Sequence, residues 1–303
     1  MMCAFIKSIK GTANFKNALG SVKLDDVLFE IDEDTRIRLQ STLLDMYKDL
    51  KQVCDKHSIT PFIVEGSAIG VVRHNGFIPW DDDLDIAMTR VDYEKFLSVF
   101  ESELSDRYIL NAPNYSSNAK ARFAKILKRG TVFREIFEQD NSVPTGVFLD
   151  VFVIDNVPKN RIIRFLKGTR CNILQFISSQ VYIYENNNEL TREVLKRTGT
   201  YRLKMFIGKV FSWRSASNWF DVVDKACRYK HTGKCGIVTA RNHYFGEIFD
   251  ENVLYPAKQG QFCDIKVPVF NDIDAYLSCL YGDYMKIPPV EKRERHFVKE
   301  LKF

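Results

Sequence analysis

Trp80-Asp81-Asp82-Asp83-Leu84-Asp85-Ile86 places four carboxylates within five residues, between the apolar Phe77, Ile78 and Pro79 before it and Ala87 and Met88 after it. A solvated acidic tail does not have such neighbours. Acids packed against a hydrophobic strand repel one another, and burying them without a counter-charge is costly. A divalent metal is the best candidate for that counter-charge. Read as a strand over 83–88, the run sends successive side chains to opposite faces. Asp81, Asp83 and Asp85 would then share one face, with Asp82 and Leu84 on the other. Two carboxylates two apart on a strand can chelate one Mg²⁺ or bridge two, and hard oxygen donors suit Mg²⁺ and Mn²⁺. An acidic turn at an exposed strand end is the bland alternative.

Upstream, Pro61-Phe62-Ile63-Val64-Glu65 reads as a short buried strand, and Gly66-Ser67 leads into Ala68 to His74, which can continue as a helix. A Gly-Ser turn opening a helix presents backbone N–H groups and a hydroxyl, a small phosphate cradle. The order strand, Gly-Ser, helix, Asp-x-Asp is far more specific than any one of its parts.

The stretch from Gly66 to Ile86 resembles the signature of the LicD family, which includes bacterial phosphocholine transferases and the distant fukutin-related proteins. Phe123-Ala124-Lys125-Ile126 resembles that family's short basic strand. Gly146-Val147-Phe148-Leu149-Asp150-Val151-Phe152-Val153-Ile154-Asp155 resembles its second acidic strand, and Tyr281-Gly282-Asp283-Tyr284-Met285-Lys286-Ile287-Pro288-Pro289 its C-terminal signature. The zinc-binding insertion of the fukutin-related proteins is not visible. The resemblance implies an α+β fold: a nucleotidyltransferase (DNA polymerase β-like) mixed sheet with flanking helices, a basic helical lobe and a C-terminal helical segment. It implies Gly66 and Ser67 at a donor phosphate, and Asp83 and Asp85 as metal ligands. Asp81 would be a ligand or a support. Asp150 would complete the metal cluster and serve as general base. Lys125 and Arg73 are the cations expected at phosphate, with a salt bridge inside the acidic cluster as the other use of Arg73. Tyr284 would wall a base or choline pocket, against the commoner role of core packing. Asp155, at the strand's exit, reads as a weaker site candidate or equally as a turn or helix cap, and His74 reads more readily as a helix cap.

The activity so implied is Mg²⁺- or Mn²⁺-dependent transfer of phosphocholine or a similar phospho-alcohol from a CDP-alcohol donor, CDP-choline favoured, to a sugar hydroxyl. The acceptor would be a surface glycan or its lipid-linked precursor. Nucleotidyl transfer from an NTP to a sugar or small molecule would use the same cluster. A membrane-associated scaffold with an inert core is the non-enzymatic alternative.

At 303 residues, with 45% hydrophobic and 27% charged residues, one large globular unit is expected. Its parts are a lead segment (1–33), a catalytic core (34–157), a basic helical lobe (158–240) and a C-terminal segment completing the active site (241–303). Seven cysteines form no Cys-x-x-Cys pair, which reads as reduced thiols. No run approaches the ~18 apolar residues of a spanning helix, and residues 1–15 hold no continuous signal-peptide core. A cytoplasmic location is expected, with peripheral contact at the inner face of the plasma membrane as a variant of it.

Helices are expected over 34–57, with Ile37, Leu39, Leu43, Leu44, Met46, Leu50, Val53 and Cys54 inward, and over 91–104, with Val91, Phe96, Leu97, Phe100 and Leu104 inward. Strands are expected over 61–65, 83–88, 107–111, 121–129, 131–137 and 147–154. From Lys159 to Arg214 there are twelve Lys or Arg against three Glu, a local +9 against +5 for the whole chain. This segment suits an anionic membrane surface, a solvated cationic face or an anionic acceptor. No recognition motif points to nucleic acid.

Overall fold

The computed structural model describes residues 31–135, 144–188, 192, 196, 200–290, 293, 296 and 298–303. Most of the expected lead segment, and the last two residues of the strand expected over 131–137, lie outside them.

Helix α1 (Glu33–Lys56) begins at Asp32, whose carboxylate accepts from the Thr35 amide at 2.7 Å, the usual way an orphan N–H is satisfied at a helix start. Its buried stripe is Leu39, Leu43, Met46, Tyr47, Leu50, Val53 and Cys54, each large side chain contributing about 1.5–3 kcal/mol by leaving water. Ile37 is exposed instead, because it lies about a third of a turn off that line.

Strand β1 (Phe62–Ile63), helix α2 (Glu65–His74), strand β2 (Asp85–Thr89) and helix α3 (Arg90–Glu103) follow. In α3, Tyr93, Phe96 and Phe100 are buried while Val91, on nearly the opposite side, is exposed. Strands β3 (Tyr108–Asn111), β4 (Ala124–Lys128), β5 (Val132–Glu135) and β6 (Phe148–Asn156) complete the first half. Helices α4 (Arg161–Glu185), α5 (Tyr201–Phe211) and α6 (Ala216–Cys227) come next. Then come β7 (Lys234–Gly236), α7 (His243–Gly246), β8 (Ile248–Asp250), α8 (Glu251–Leu254), the hairpin strands β9 (Lys258–Phe262) and β10 (Ile265–Val269), helix α9 (Ile273–Tyr281) and strand β11 (Val298–Lys302). Helix α9 ends at Gly282, whose φ of 66° is a positive value that glycine adopts without a Cβ penalty.

The main sheet runs β1-β2-β6-β4-β3, with β7 and β8 continuing from the far end of β6. The pairing β2–β6 is parallel and β1–β2, β6–β4 and β4–β3 are antiparallel, so the architecture is a mixed α+β sheet. Eight of the nine residues of β6 are buried, as expected of a central strand covered on both faces. Its first half pairs with β4 and its last two residues with β7. The small strand β11 returns the C-terminus to β5.

Candidate active site

The site is built where β2 and β6 begin. Asp85 and Asp150 are register partners in the parallel ladder, and the Leu84 carbonyl accepts from the Asp150 amide at 3.3 Å. Asp83 and Asp85 therefore flank the residue bonded to Asp150. Asp83, Asp85 and Asp150 are all buried. On the other side of Asp150, Lys125 of β4 is its antiparallel register partner, and the Lys125 ammonium lies 2.8 Å from Asp150 Oδ1. The same ammonium sits 3.4 Å from the centre of the Phe148 ring, an aromatic face that favours a cation.

The acidic run is not one strand from Asp81 onward. Regular structure starts at Asp85, so Asp81, Asp83 and Asp85 do not line one strand face. Residues 78–81 form a turn, with the Asp81 amide bonded to the Ile78 carbonyl at 2.9 Å. Gln40 of α1 donates to the carbonyls of Asp81 at 2.8 Å and Ile78 at 3.3 Å. The turn swings Asp82 away from the sheet. Its carboxylate accepts from the His296 amide and meets His296 Nδ1, both at 2.8 Å, while Asp83 Oδ2 lies 3.8 Å from the same nitrogen. Asp82, Asp83 and His296 thus form a compact buried group of metal-ligand types.

Helix α2 supplies the other wall. Gly66 and Ser67 lie inside its first turn rather than in a turn before it. A methyl built on Gly66 would lie 3.5 Å from Asp81 Oδ2, so the start of the helix stands beside the acidic run, where its N–H groups favour negative charge. Ser67 Oγ accepts from the Asp85 amide at 3.0 Å and so holds the first residue of β2. Gly70 is required by packing: a Cβ there would come 2.3 Å from the Gly76 carbonyl oxygen.

The C-terminal motif braces this helix. Tyr281 donates to the Glu65 carboxylate at 2.8 Å, and the Tyr276 hydroxyl accepts from the Glu65 amide at 3.2 Å. Burial, and then Glu65, pushes the Tyr281 phenol far up. Arg73 donates to the Tyr284 carbonyl at 2.7 Å and to His74 Nε2 at 2.9 Å. Burial lowers the Arg73 pKa, against the pull of Asp81, and burial together with Arg73 lowers that of His74. Tyr284 is buried in the core and its hydroxyl bonds to Asp274, which pushes the phenol up to about 12. Arg293 lies 4.0 Å over the Trp80 ring. The expected candidates thus fall into two sets. Asp85, Asp150 and Lys125 meet at one corner of the sheet, with Ser67 bonded to the Asp85 amide and Gly66 beside Asp81, while Asp83, two residues before Asp85, turns an oxygen toward His296. Arg73 and Tyr284 make the contacts that tie helix α2 to the C-terminal segment.

His296, Glu65 and Gln40 are additions. Each acts through a partner distant in sequence: His296 is 214 residues from Asp82, and Tyr281 is 216 from Glu65. No local pattern signals such pairs.

Residues 58–162 match the family model described as LicD/FKTN/FKRP, nucleotidyltransferase domain. Over those residues the chain is similar to the LicD family's nucleotidyltransferase domain. The chain is 26% identical over 257 residues to the lipopolysaccharide cholinephosphotransferase LicD of Haemophilus influenzae, covering 82% of this chain and 90% of the relative. Shorter matches of 38% over 58 residues and 41% over 51 residues connect it to uncharacterized proteins of Rickettsia typhi and Rickettsia prowazekii, in each case covering 19% of the relative and 19% and 17% of this chain. The match to the family model spans α2, β2 and β6, the elements that carry the acidic corner. Among the described residues no helix is long and apolar enough to cross a membrane.

Proposed function

We propose that this protein is a metal-dependent phosphotransferase with a nucleotidyltransferase-type core. It would move phosphocholine or a similar phospho-alcohol from a CDP-linked donor to a sugar hydroxyl of a surface glycan or its lipid-linked precursor. The observation that carries this reading is the register pairing of Asp85 with Asp150, with Lys125 at 2.8 Å and the start of helix α2 alongside. The Haemophilus relative, by its name a lipopolysaccharide cholinephosphotransferase, supports the choice of group and acceptor class.

The donor set fits a hard divalent cation. Asp83, Asp85 and Asp150 offer buried carboxylate oxygens, the ligands Mg²⁺ and Mn²⁺ prefer. When bound, such an ion neutralises charge on a donor diphosphate. The protein's own groups do the rest. The amides at the head of α2 and the Lys125 ammonium hold phosphate oxygens and orient the phosphorus for in-line attack. The acceptor hydroxyl gives its proton to the Asp150 carboxylate as the new sugar O–P bond forms. The bond from that phosphorus to the oxygen of CMP breaks, and CMP leaves. Ser67 and Gln40 keep the two sides of the corner in register.

The test is a thermal-shift screen of CDP-choline, CDP-ribitol, CDP-glycerol and NTPs with Mg²⁺, followed by product analysis. A donor at 100-fold excess over its Kd stabilises by about 2.7 kcal/mol. Stabilisation by a CDP-alcohol and release of CMP is the expected result. Stabilisation by an NTP alone, with pyrophosphate released, would overturn the donor class.

A further inference from the structure

Helix α4 turns apolar side chains outward over its first half. Its buried residues include Gly168, Cys171 and Gln175, followed by Ser178 and Ser179, while Ile162, Phe165, Leu166 and Ile173 stand exposed on another side. The spacing of 162, 166 and 173 puts those three on a single line of the helix, with Phe165 beside it. A helix facing water has the reverse arrangement. Helix α5 packs closely on α4, since a Cβ at Gly208 would lie 2.5 Å from the Gln180 carbonyl oxygen. It too turns Leu203, Phe206 and Val210 outward. Phe165 and Phe206 are 62% and 65% exposed, and Trp213, just past α5, is 69% exposed.

The charges beside these apolar lines are of one sign. Arg161 and Arg170 are exposed on α4, and Arg202 and Lys209 on α5. Helix α4 carries no acid before its last residue, Glu185, and α5 carries none. Large exposed apolar patches mark interaction surfaces. A second copy of this face would set like charges against one another, a costly juxtaposition. An anionic bilayer satisfies both features, since its acyl boundary accepts the aromatic and aliphatic side chains and its headgroups attract the flanking cations. Neither helix is long and apolar enough to span the membrane, so the contact is peripheral.

We infer that the outward faces of α4 and α5 dock on an anionic phospholipid surface, with Phe165, Leu166, Phe206 and Trp213 entering the interface and Arg161, Arg170, Arg202 and Lys209 at the headgroups. This inference does not depend on which group the acidic corner transfers.

Co-sedimentation of the full chain with vesicles tests it. Binding is expected to phosphatidylcholine vesicles containing about 30% phosphatidylglycerol, enough to give an anionic surface, and to weaken as salt shortens the Debye length. The pair Arg202→Gln and Lys209→Gln should weaken binding about 10- to 30-fold, at about 1 kcal/mol per cation near the surface. The pair Phe165→Asp and Phe206→Asp should abolish it. Quenching of tryptophan fluorescence by brominated lipid, lost in Trp213→Phe, reads insertion directly and does not depend on those variants folding. Equal binding to pure phosphatidylcholine, no binding to either vesicle, or a soluble dimer that Phe165→Asp dissociates would each overturn the proposal.

Discussion

Asp150 and Asp155 lie on the same strand, both buried, each beside a basic side chain, and the two basic groups treat them differently. At Asp155 the guanidinium of Arg90 takes both carboxylate oxygens, at 2.9 and 2.7 Å, and reaches Asp224 at 2.7 Å. Asp224 is bound further by Asn114 and Arg228. Burial works against the charge on Arg90, but Asp155 and Asp224 outweigh it and raise its pKa. At Asp150 the basic group is an ammonium, a single point of contact on Oδ1, and the register neighbour is another carboxylate, Asp85. A planar fork closes a carboxylate pair into a structural joint, whereas a point charge next to gathered acids leaves oxygen donors for a ligand. The same residue type on one strand thus supports the fold at one end and, in our proposal, chemistry at the other.

This contrast can be broken by substitution. The largest effect is expected at the acidic corner. Asp85→Asn or Asp150→Asn should lower turnover of the CDP-alcohol donor by about 10³-fold or more, the scale of losing a central electrostatic group. The thermal midpoint should change little. Turnover retained in both variants would place the chemistry elsewhere. Next comes Arg90→Met, which strands Asp155 and Asp224 in the interior. A loss of about 3–5 kcal/mol is expected in urea unfolding, the usual result of removing one partner of a buried ion pair. Adding Asp155→Leu should recover part of that loss. The smallest and most diagnostic change is Lys125→Met. Removing the ammonium should lower turnover while tightening Mn²⁺ binding several-fold, because the competing positive charge at Asp150 is gone. Weaker Mn²⁺ binding would mean that Lys125 organises the corner rather than competing for it.

Much of the chain could be read locally. The stripe of α1, the apolar run of β6 and the glycine stop of α9 all follow from residues close together in sequence, because helix and strand periods are local properties. Local patterns misjudged Ile37 and Val91, hydrophobic residues that lie off the buried stripes of their helices, Val91 on nearly the opposite side. They also misjudged the acidic run. Four carboxylates in five residues read as an alternating strand, but the hydrogen bonds from Gln40 hold a turn there, and His296 draws Asp82 away. Tyr284 sits in a motif that could wall a pocket. In the fold it belongs to the core, because Asp274 takes its hydroxyl and its own carbonyl takes Arg73.

The sequence alone determined that acids, a Gly-Ser helix start and a basic strand occur together in LicD order, and that a cationic helical segment follows. Only the tertiary structure decided which acids meet. Asp85 and Asp150 become neighbours through the choice of β6 as the parallel partner of β2, and Lys125 joins them through the register of β4. Sheet order and register are settled by packing and hydrogen bonding between distant segments. The same holds for the outward apolar faces of α4 and α5. Periodicity shows that a helix has an apolar side, and only its packed neighbours decide whether that side faces the core or the surroundings.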